Sequence, residues 1–511
     1  MKRIFFLLMP LVFVFNTALA QDGHNQFSYS NLALQYSSYN LDGSGSSNMY
    51  PTVANANGYG SYLQNSASAA LMKQDFMSFS LYHQQSDYEN SYLGNSLNTS
   101  EQETKLGNIG FVYQFPVSQG SLVIGAGYNR VNNQSGNFRV SGRNNQSTIT
   151  DAFKNPGSDY FDLAFETYAI DYGDVDSTYF ESIFRIGFTP NQYPGINQEA
   201  KISYETDLGE YSFFLGTEFQ KNLFIGISGG LVTGSYKYRR DFLETDSQND
   251  YAGNFIPSDV SEEGTDIYQI LTHDEIDADI TGFDFRVGAI YKLTPSFSAG
   301  VGVLLPSILR VEEDYYASIE TELDDNSTPF FYDISNEQDF NYRIRKPAQF
   351  NVGIAATDLN GFEFAASAEY TDYANLSLDF ISDSDTDFSG EVVLREQQAA
   401  LDSVMNADYK KVVNIKLGAG YNFNDDVKVM AGYAFLPGQS KRYEADKNVV
   451  SAGIKARIFE NVELNLTTQY QFWQDRSELY NYYDFDGFQQ SETMSHENSR
   501  LNIHAGIKFI F

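Results

Sequence analysis

Hydrophobic and polar residues alternate with period two along much of the chain, most regularly in its second half. Leu501, Ile503, Ala505, Ile507, Phe509 and Phe511 fall on one face of an extended strand, and Asn502, His504, Gly506, Lys508 and Ile510 on the other, because successive strand side chains point to opposite faces. In the same way Val450, Ala452, Ile454, Ala456 and Ile458 oppose Ser451, Gly453, Lys455 and Arg457. Val462, Leu464, Leu466, Thr468 and Tyr470 oppose Glu463, Asn465, Thr467 and Gln469. One face of each strand suits hydrocarbon and the other suits water.

Strand candidates arrive in pairs joined by short turns. A first strand spans Asp75 to Gln84. Hairpins follow around 115–121, 220–222, 294–296, 358–361, 424–426 and 460–461, and Leu501 to Phe511 closes the series. The Asn360-Gly361 pair is a hairpin signal in its own right. One strand, six hairpins and one strand make fourteen. An even count with short turns alternating with long loops describes a 14-stranded antiparallel transmembrane β-barrel, an all-β fold, with short periplasmic turns and long external loops.

The start of the chain and its composition agree. Met1 to Ala20 carries Lys2 and Arg3, an apolar run and Ala18-Leu19-Ala20, so residues 1–20 read as a secretory signal peptide. No later stretch approaches the ~18 apolar residues of a membrane-spanning helix. Without Lys2 and Arg3 the chain keeps 31 basic against 67 acidic side chains, a formal charge of −36, which speaks against nucleic acid as a partner. The absence of cysteine removes disulfides, thiolate metal sites and cysteine nucleophiles. The 41 Phe and 37 Tyr, in a chain with a single Trp, Trp473, suit the aromatic girdles of a barrel better than the binding sites of a secreted sugar-binding protein. These features place the protein in the bacterial outer membrane, in contact with its lipid and lipopolysaccharide.

Residues 21–72 are rich in Ser, Asn, Gly and Tyr and lack strand periodicity. They are expected to form either a periplasmic tail or a hatch inside the barrel, with Asn65 to Leu71 near the axis; residues 73–511 form the barrel. Asp241 to Ile280 carries 12 acidic residues and no Lys or Arg, and Val311 to Phe340 carries 10 and none, so both read as solvated external loops. Their spacing matches no calcium loop, and no metal site is expected. The loop from Val131 to Glu210 holds apolar segments, with Phe161, Phe165 and Tyr168 at helical spacing. Those rings either pack on one another or offer a landing surface to a greasy ligand.

The segment Lys346-Pro347-Ala348-Gln349-Phe350-Asn351-Val352-Gly353-Ile354, the hairpin after it and Tyr370-Thr371-Asp372-Tyr373 resemble the outer-membrane long-chain fatty-acid transporter family, the FadL/TodX group. Thr281-Gly282-Phe283 to Leu305-Pro306-Ser307 is similar to the preceding hairpin, and Gly418-Ala419-Gly420-Tyr421 with Gly432-Tyr433 to the following one. The resemblance implies fourteen strands and an N-terminal hatch, whose Asn-Pro-Ala signature here reads Asn65-Ser66-Ala67. The closing aromatic, Phe511, likewise resembles the signal read by the barrel-assembly machinery. By the resemblance, the function is passive uptake of hydrophobic small molecules, most of all long-chain fatty acids, without a cofactor. The implied route is loop capture, a lumen pocket and lateral exit into the bilayer.

Side-chain parity turns Arg286, Lys416, Lys455, Arg457 and Lys508 toward the lumen. Lys455 and Arg457, with Lys416 and Lys508 behind them, are the candidates for a fatty-acid carboxylate, unless they only pair with Asp284, Glu363, Glu369 and Glu463. Gly125 and Gly127 are candidates for the lateral gap, because glycine weakens strand packing. A general porin, a barrel enzyme using His504, and an adhesin with acidic loops are the competing readings; an enzyme is not expected.

Overall fold

A computed structural model of the chain describes residues 29–38, 50–155, 158, 160–173, 178–186, 188, 192–251, 266–324, 331–381, 388–442, 446–484 and 487–511. The expected signal peptide, 1–20, lies outside these residues, as do 21–28 and 39–49 of the expected hatch.

Alternation closes the chain into an antiparallel barrel of fourteen strands. They are β1 (Phe76–Tyr92), β2 (Asn95–Phe115), β3 (Leu122–Asn144), β4 (Ile196–Gln220), β5 (Leu223–Thr245) and β6 (Asp266–Lys292). β7 follows in two segments, Phe297–Leu304 and Ser307–Asp324, β8 in two, Phe331–Lys346 and Gln349–Leu359, and β9 in two, Phe362–Asp372 and Ser377–Phe380. β10 (Lys411–Asn422), β11 (Val427–Leu436), β12 (Lys447–Phe459), β13 (Val462–Tyr483) and β14 (Gln489–Ile510) complete the wall. β14 pairs with β1 from Phe76↔Ile510 to Ser91↔Ser495, so no strand edge is left there. Pro306 and Pro347 lie in the interruptions of β7 and β8, where a missing N–H costs no ladder bond.

The two faces sort as the alternation requires. Phe79, Phe213, Ile227, Val352, Leu417 and Ile503 are exposed on the outer surface, where lipid covers them. Asn502 and His504, one residue to either side of Ile503, are fully buried in the interior. This closed, lipid-faced barrel places the protein in the bacterial outer membrane.

Two expectations about the outer side are corrected. The residues after Gln84 continue β1 to Tyr92, and β2 starts at Asn95, so the first external connection is a tight turn at Leu93-Gly94 with φ of 47° and 83°. The acidic stretches also form strand: β5 runs to Thr245, β6 starts at Asp266, and β7 reaches Asp324. The barrel therefore projects beyond the bilayer, and some of its acids point inward and are buried. Asp274 accepts a bond from Arg240 Nε at 2.8 Å. A polar strand above the membrane alternates charged with neutral residues, which reads like a loop when only hydrophobicity is followed.

Inside the wall, α1 (Tyr29–Ser37) and two 3-10 turns, Tyr59–Leu63 and Ser66–Leu71, are almost wholly buried. Tyr29 meets Phe340, Tyr342 and Phe380 edge-on, with ring centroids 5.2 to 6.0 Å apart. The connection from β3 to β4 folds back over the mouth. It carries α2 (Phe161–Glu166) and a small hairpin, Ile170–Tyr172 with Phe180–Ser182. α3 (Phe388–Asp408) lies between β9 and β10, on the side where β10 to β12 are short.

Candidate functional site

The interior is built on glycine. Gly216, Gly226, Gly288 and Gly302 form one row across β4 to β7, each directly opposite the next. A Cβ at any of them would overlap the segment Gln64 to Ala70: Ala69 and Ala70 at Gly216, Ser66 and Ala67 at Gly226, Asn65 at Gly288, and Gln64 at Gly302. With hydrogens in place of side chains, the hatch backbone touches the wall. Asn65 to Leu71 thus lies against the wall and not near the axis. The reason is the glycine row, which parity alone did not reveal.

Polar bonds fix that contact. Asn65 Nδ2 donates to the Val53 carbonyl at 2.6 Å and to the Ala289 carbonyl of β6 at 3.2 Å, while its Oδ1 accepts from Ala67 N at 3.0 Å. Ser66, which stands where the resembled signature has proline, puts its hydroxyl 2.9 Å from that of Ser228 on β5. The seal continues around the barrel. Tyr59 covers Gly110 and Gly127, Val53 covers Gly300 and Gly353, and Tyr50 with Pro51 covers Gly418.

Arg286 serves this seal. It makes a two-pronged contact with Glu210, at 2.9 and 2.7 Å, and reaches Asp284 at 3.3 Å, all three fully buried. Lys346 Nζ and the Ser307 hydroxyl hold the far side of Asp284, at 2.9 and 2.7 Å. Tyr62 of the hatch donates to Glu210 at 3.3 Å. A buried charge with paired carboxylates is held in place by the penalty of uncovering them.

The proposed head-group residues are spread over the barrel. Lys455, Arg457 and Lys508 come together around Glu463 at the periplasmic end of β12 to β14, where Arg457 is opposite Glu463 and Glu463 opposite Lys508. Lys508 Nζ lies 3.4 Å from Glu463. Lys455 Nζ is spent on the hatch, donating to Asn57 Oδ1 at 2.7 Å and to its carbonyl at 3.1 Å. Arg457 Nε is buried without a hydrogen-bond partner among the described residues. Lys416 stands apart on β10, 3.4 Å from Glu369. This group sits at the level of the hatch: Lys455 bonds Asn57, and Lys508 is opposite Ser78, whose other neighbour, Gly110, is covered by Tyr59. His504 stacks on Tyr82 with centroids 5.4 Å apart.

The wall is interrupted between β2 and β3. Their ladder runs only from Phe115↔Leu122 to Asn108↔Asn129, eight pairs or about 20 Å of barrel height at the usual rise and tilt. Above it a bulge between Arg130 and Asn132 leaves Val131 out of register with β4. β3 then bends inward: the Ser135 carbonyl accepts from Tyr88 of β1 at 2.8 Å and from Arg500 of β14 at 3.1 Å, and Asn132 Nδ2 donates to the Gln35 carbonyl of the hatch at 2.8 Å. Side chains replace the ladder across this seam. Lys105 of β2 reaches past β3 to Glu205 and Asp207 of β4, and Arg130 Nε of β3 donates to the Leu106 carbonyl of β2 at 2.9 Å. Thr99 donates to the Asn137 carbonyl. Gly125 and Gly127 themselves lie in the fully paired stretch below, where Phe214 fills the space beside Gly125. The sequence signal for the seam is the polar run Asn129-Arg130-Val131-Asn132-Asn133, which breaks the alternation.

At the mouth, Phe161 and Phe165 lie parallel with centroids 6.3 Å apart, and Phe180 meets both edge-on at 4.7 and 5.5 Å. Tyr168 ends the α2 turn with φ of 59° and packs against the buried core, while Tyr172 and Tyr179 remain exposed beside the cluster. The loop is anchored by Arg185, whose guanidinium contacts Asp151 at 2.6 and 2.5 Å. Burial works against that charge, but the Asp151 carboxylate outweighs it and holds Arg185 above its ordinary pKa.

No protein-family model matches the chain, and no curated protein matches it. Solved structures do. The toluene transporter TodX of P. putida matches with a TM-score of 0.50 at 14% identity, covering 92% of this chain and 99% of that one. A Pseudomonas aeruginosa FadL homologue matches with a TM-score of 0.51 at 11% identity, covering 92% and 98%. At such identities the likeness is one of fold: the chain has the barrel fold of the FadL/TodX structures.

Proposed function

We propose that this barrel, built on the fold of the FadL/TodX structures, is a passive channel that brings small hydrophobic molecules across the outer membrane and releases them sideways into the bilayer. The observation that carries this reading is the pairing of a sealed lumen with a seam in the wall. The hatch backbone lies on wall glycines, which supports a closed axial path and speaks against a general porin for hydrophilic solutes. The wall meanwhile loses its ladder between β2 and β3 at about the level of the outer leaflet.

Magnitudes favour the same route. Each methylene moved from water to an apolar site gains ~0.8 kcal/mol, so a 16-carbon chain gains on the order of 10 kcal/mol on leaving water. Such a ligand has no reason to cross a wet pore and every reason to enter lipid. The Phe161, Phe165 and Phe180 cluster with exposed Tyr172 and Tyr179 is the landing surface in this reading, and the seam above Asn129 is the exit. Long-chain fatty acids are one ligand class that fits it. Their carboxylate would not reach Lys455, which the hatch already holds, so head-group contact belongs to the outer half of the lumen. Outer-membrane lipid receives the ligand, lipopolysaccharide surrounds the projecting strands, and the barrel-assembly machinery inserts the chain.

The test is uptake by proteoliposomes holding the full barrel. Labelled palmitate and labelled toluene are expected to enter the lipid phase faster than in protein-free vesicles, while a labelled disaccharide is not. Entry of the disaccharide at a comparable rate would make the protein a porin and overturn the proposal.

A further inference from the structure

Near the outer end of the wall a hydrogen-bonded relay runs from β13 across to β3. The hydroxyl of Ser477 on β13 lies 2.6 Å from Nε2 of His496 on β14, and Nδ1 of the same ring lies 2.8 Å from Oδ1 of Asn90 on β1. Asn90 Nδ2 donates to the Thr99 hydroxyl of β2 at 3.3 Å, and Thr99 donates to the Asn137 carbonyl of β3. Asn90 and His496 are 0% and 2% exposed, while Ser477 is half-buried. Register explains the meeting: Asn90 is directly opposite His496 and His496 directly opposite Asp475, so Ser477 is the next inward side chain along β13. By strand rise and tilt Asn90 stands roughly 35 Å above Phe76, beyond a ~25 Å apolar band. The outward neighbours at this level, Glu89 and Glu497, are exposed carboxylates.

Each proton of the relay can be placed from its far end. The Asn137 carbonyl only accepts, so the Thr99 hydroxyl donates to it and accepts from Asn90 Nδ2. With Nδ2 turned to Thr99, Oδ1 faces the imidazole and only accepts, which puts the ring proton on Nδ1. Burial pushes the His496 pKa down to about 4, so the ring is neutral at pH 7 and Nε2 keeps its lone pair. Ser477 therefore donates to Nε2. A hydroxyl on a neutral base, with the base oriented by a third buried group, is the arrangement that activates serine for acyl transfer. The surroundings of Ser477 leave it room to react. A bulge between Glu478 and Tyr480 breaks the register of β13 just beyond it, and above Phe472 the other edge of β13 has no strand beside it among the described residues. Such an edge presents unpaired backbone N–H groups, the donors that an oxyanion requires.

We propose that Ser477, His496 and Asn90 form a hydrolytic triad at the outer mouth that cleaves carboxylic esters of apolar acyl groups. Ser477 Oγ attacks the ester carbonyl carbon while its proton passes to His496 Nε2. The bond from that carbon to the alcohol oxygen then breaks, and the imidazolium gives the proton to the leaving alkoxide. Water attacks the acyl-serine by the same route, passing a proton to Nε2, and the acid departs as that proton returns to Ser477 Oγ. Asn90 is a positioning residue, which holds the ring tautomer without touching the ester. An apolar acyl group suits the neighbours: Met494 is directly opposite Ser477, Leu479 follows on β13, both are buried, and Phe138 covers the His496 ring with centroids 4.4 Å apart. The inference goes beyond the channel and does not depend on it, because hydrolysis needs access only from the outer mouth.

The experiment uses the full, detergent-solubilised barrel, with 4-nitrophenyl butyrate and octanoate as substrates and a biotinylated alkyl fluorophosphonate as covalent probe. Turnover of both esters is expected, with its loss on phosphonylation and the adduct mapped to Ser477 by mass spectrometry. Ser477→Ala is expected to abolish labelling and lower turnover about 100-fold or more, with the compact gel migration of the barrel retained. Asn90→Leu is expected to lower kcat about tenfold or more with KM unchanged, and Asn90→Asp, which keeps the acceptor, to retain most of it. If Ser477→Ala does not fold, the site of labelling in the unchanged protein decides. An adduct on another residue, no adduct at all, or turnover indifferent to Ser477→Ala or to Asn90→Leu would overturn the triad. Should palmitate and toluene enter proteoliposomes while Ser477 stays unlabelled, the triad fails and the channel stands. Labelling and turnover without uptake would leave the triad and remove the channel.

Discussion

The hydroxyl of Ser66 lies 2.9 Å from that of Ser228, so a residue at the start of a 3-10 turn in the hatch is bonded to the inner face of β5. Proline at this first position of a turn would keep the backbone geometry but lose the bond. Ser66→Pro is therefore expected to loosen the hatch without unfolding the barrel. Protease nicking of the hatch in intact vesicles should rise severalfold over the unchanged protein, and equal protection would show that Ser228 contributes nothing to closure.

The glycine row makes a stronger prediction. A leucine at Gly226 or Gly288 collides with hatch backbone or with the Asn65 side chain, and the rigid wall does not yield. Either substitution is expected to expel the segment and raise single-channel ion conductance severalfold in planar bilayers. Unchanged conductance with a folded barrel would mean that the seal lies elsewhere.

Removing Arg286 alone strands two buried carboxylates, Glu210 and Asp284, of which only Asp284 keeps a cation, Lys346. Arg286→Met should cost ~3–5 kcal/mol and lower the temperature at which the barrel loses its compact migration on SDS gels. Adding Glu210→Leu to the same chain should recover much of that loss. A double variant no more stable than the single one would assign the cost to packing and not to charge.

The charged strap across the seam is only partly shielded from water, since Glu205 and Asp207 are 43% and 31% exposed. Each pair is accordingly worth no more than about 1 kcal/mol and is screened by salt. Release of a preloaded hydrophobic dye into vesicle lipid should quicken about fivefold or more for Lys105→Gln, since ~1 kcal/mol is about a factor of five. Raised ionic strength should produce a similar gain in the unchanged protein and none in the variant. Salt-independent release in both would show that the strap does not hold the seam.

Phe161 and Phe165 are half-buried at the mouth and pack on Phe180. Replacing both with serine is expected to slow uptake at low ligand concentration and leave the rate at saturating ligand and the thermal midpoint unchanged. A fall in the midpoint instead would make the rings structural supports of the loop.

Much of this architecture was legible in residue order. Period-two alternation located every periplasmic turn, including Asp358 to Gly361, where Asp358, Asn360 and Gly361 take positive φ. It failed above the bilayer, where both strand faces are polar and Glu313 or Asp274 looks like loop despite lying buried in a ladder. Inward parity correctly turned Arg286, Lys416, Lys455 and Lys508 to the lumen, yet parity cannot tell a cation awaiting a ligand from one already held. Pairing is decided across strands, as between Lys416 and Glu369, and between hatch and wall, as between Lys455 and Asn57. The glycine row was present in the sequence as single residues at inward positions. Its meaning emerged only when the register set Gly216, Gly226, Gly288 and Gly302 side by side.

The most direct test of lateral release closes the seam chemically. The chain has no cysteine, so Thr99→Cys on β2 and Asn137→Cys on β3 can be joined by a short bis-maleimide with no competing site. Uptake of labelled toluene and palmitate into proteoliposome lipid is then expected to fall to the protein-free rate, while ion conductance and thermal stability stay as before and each single-cysteine control keeps full uptake. Undiminished uptake through a fully cross-linked barrel would contradict exit between β2 and β3.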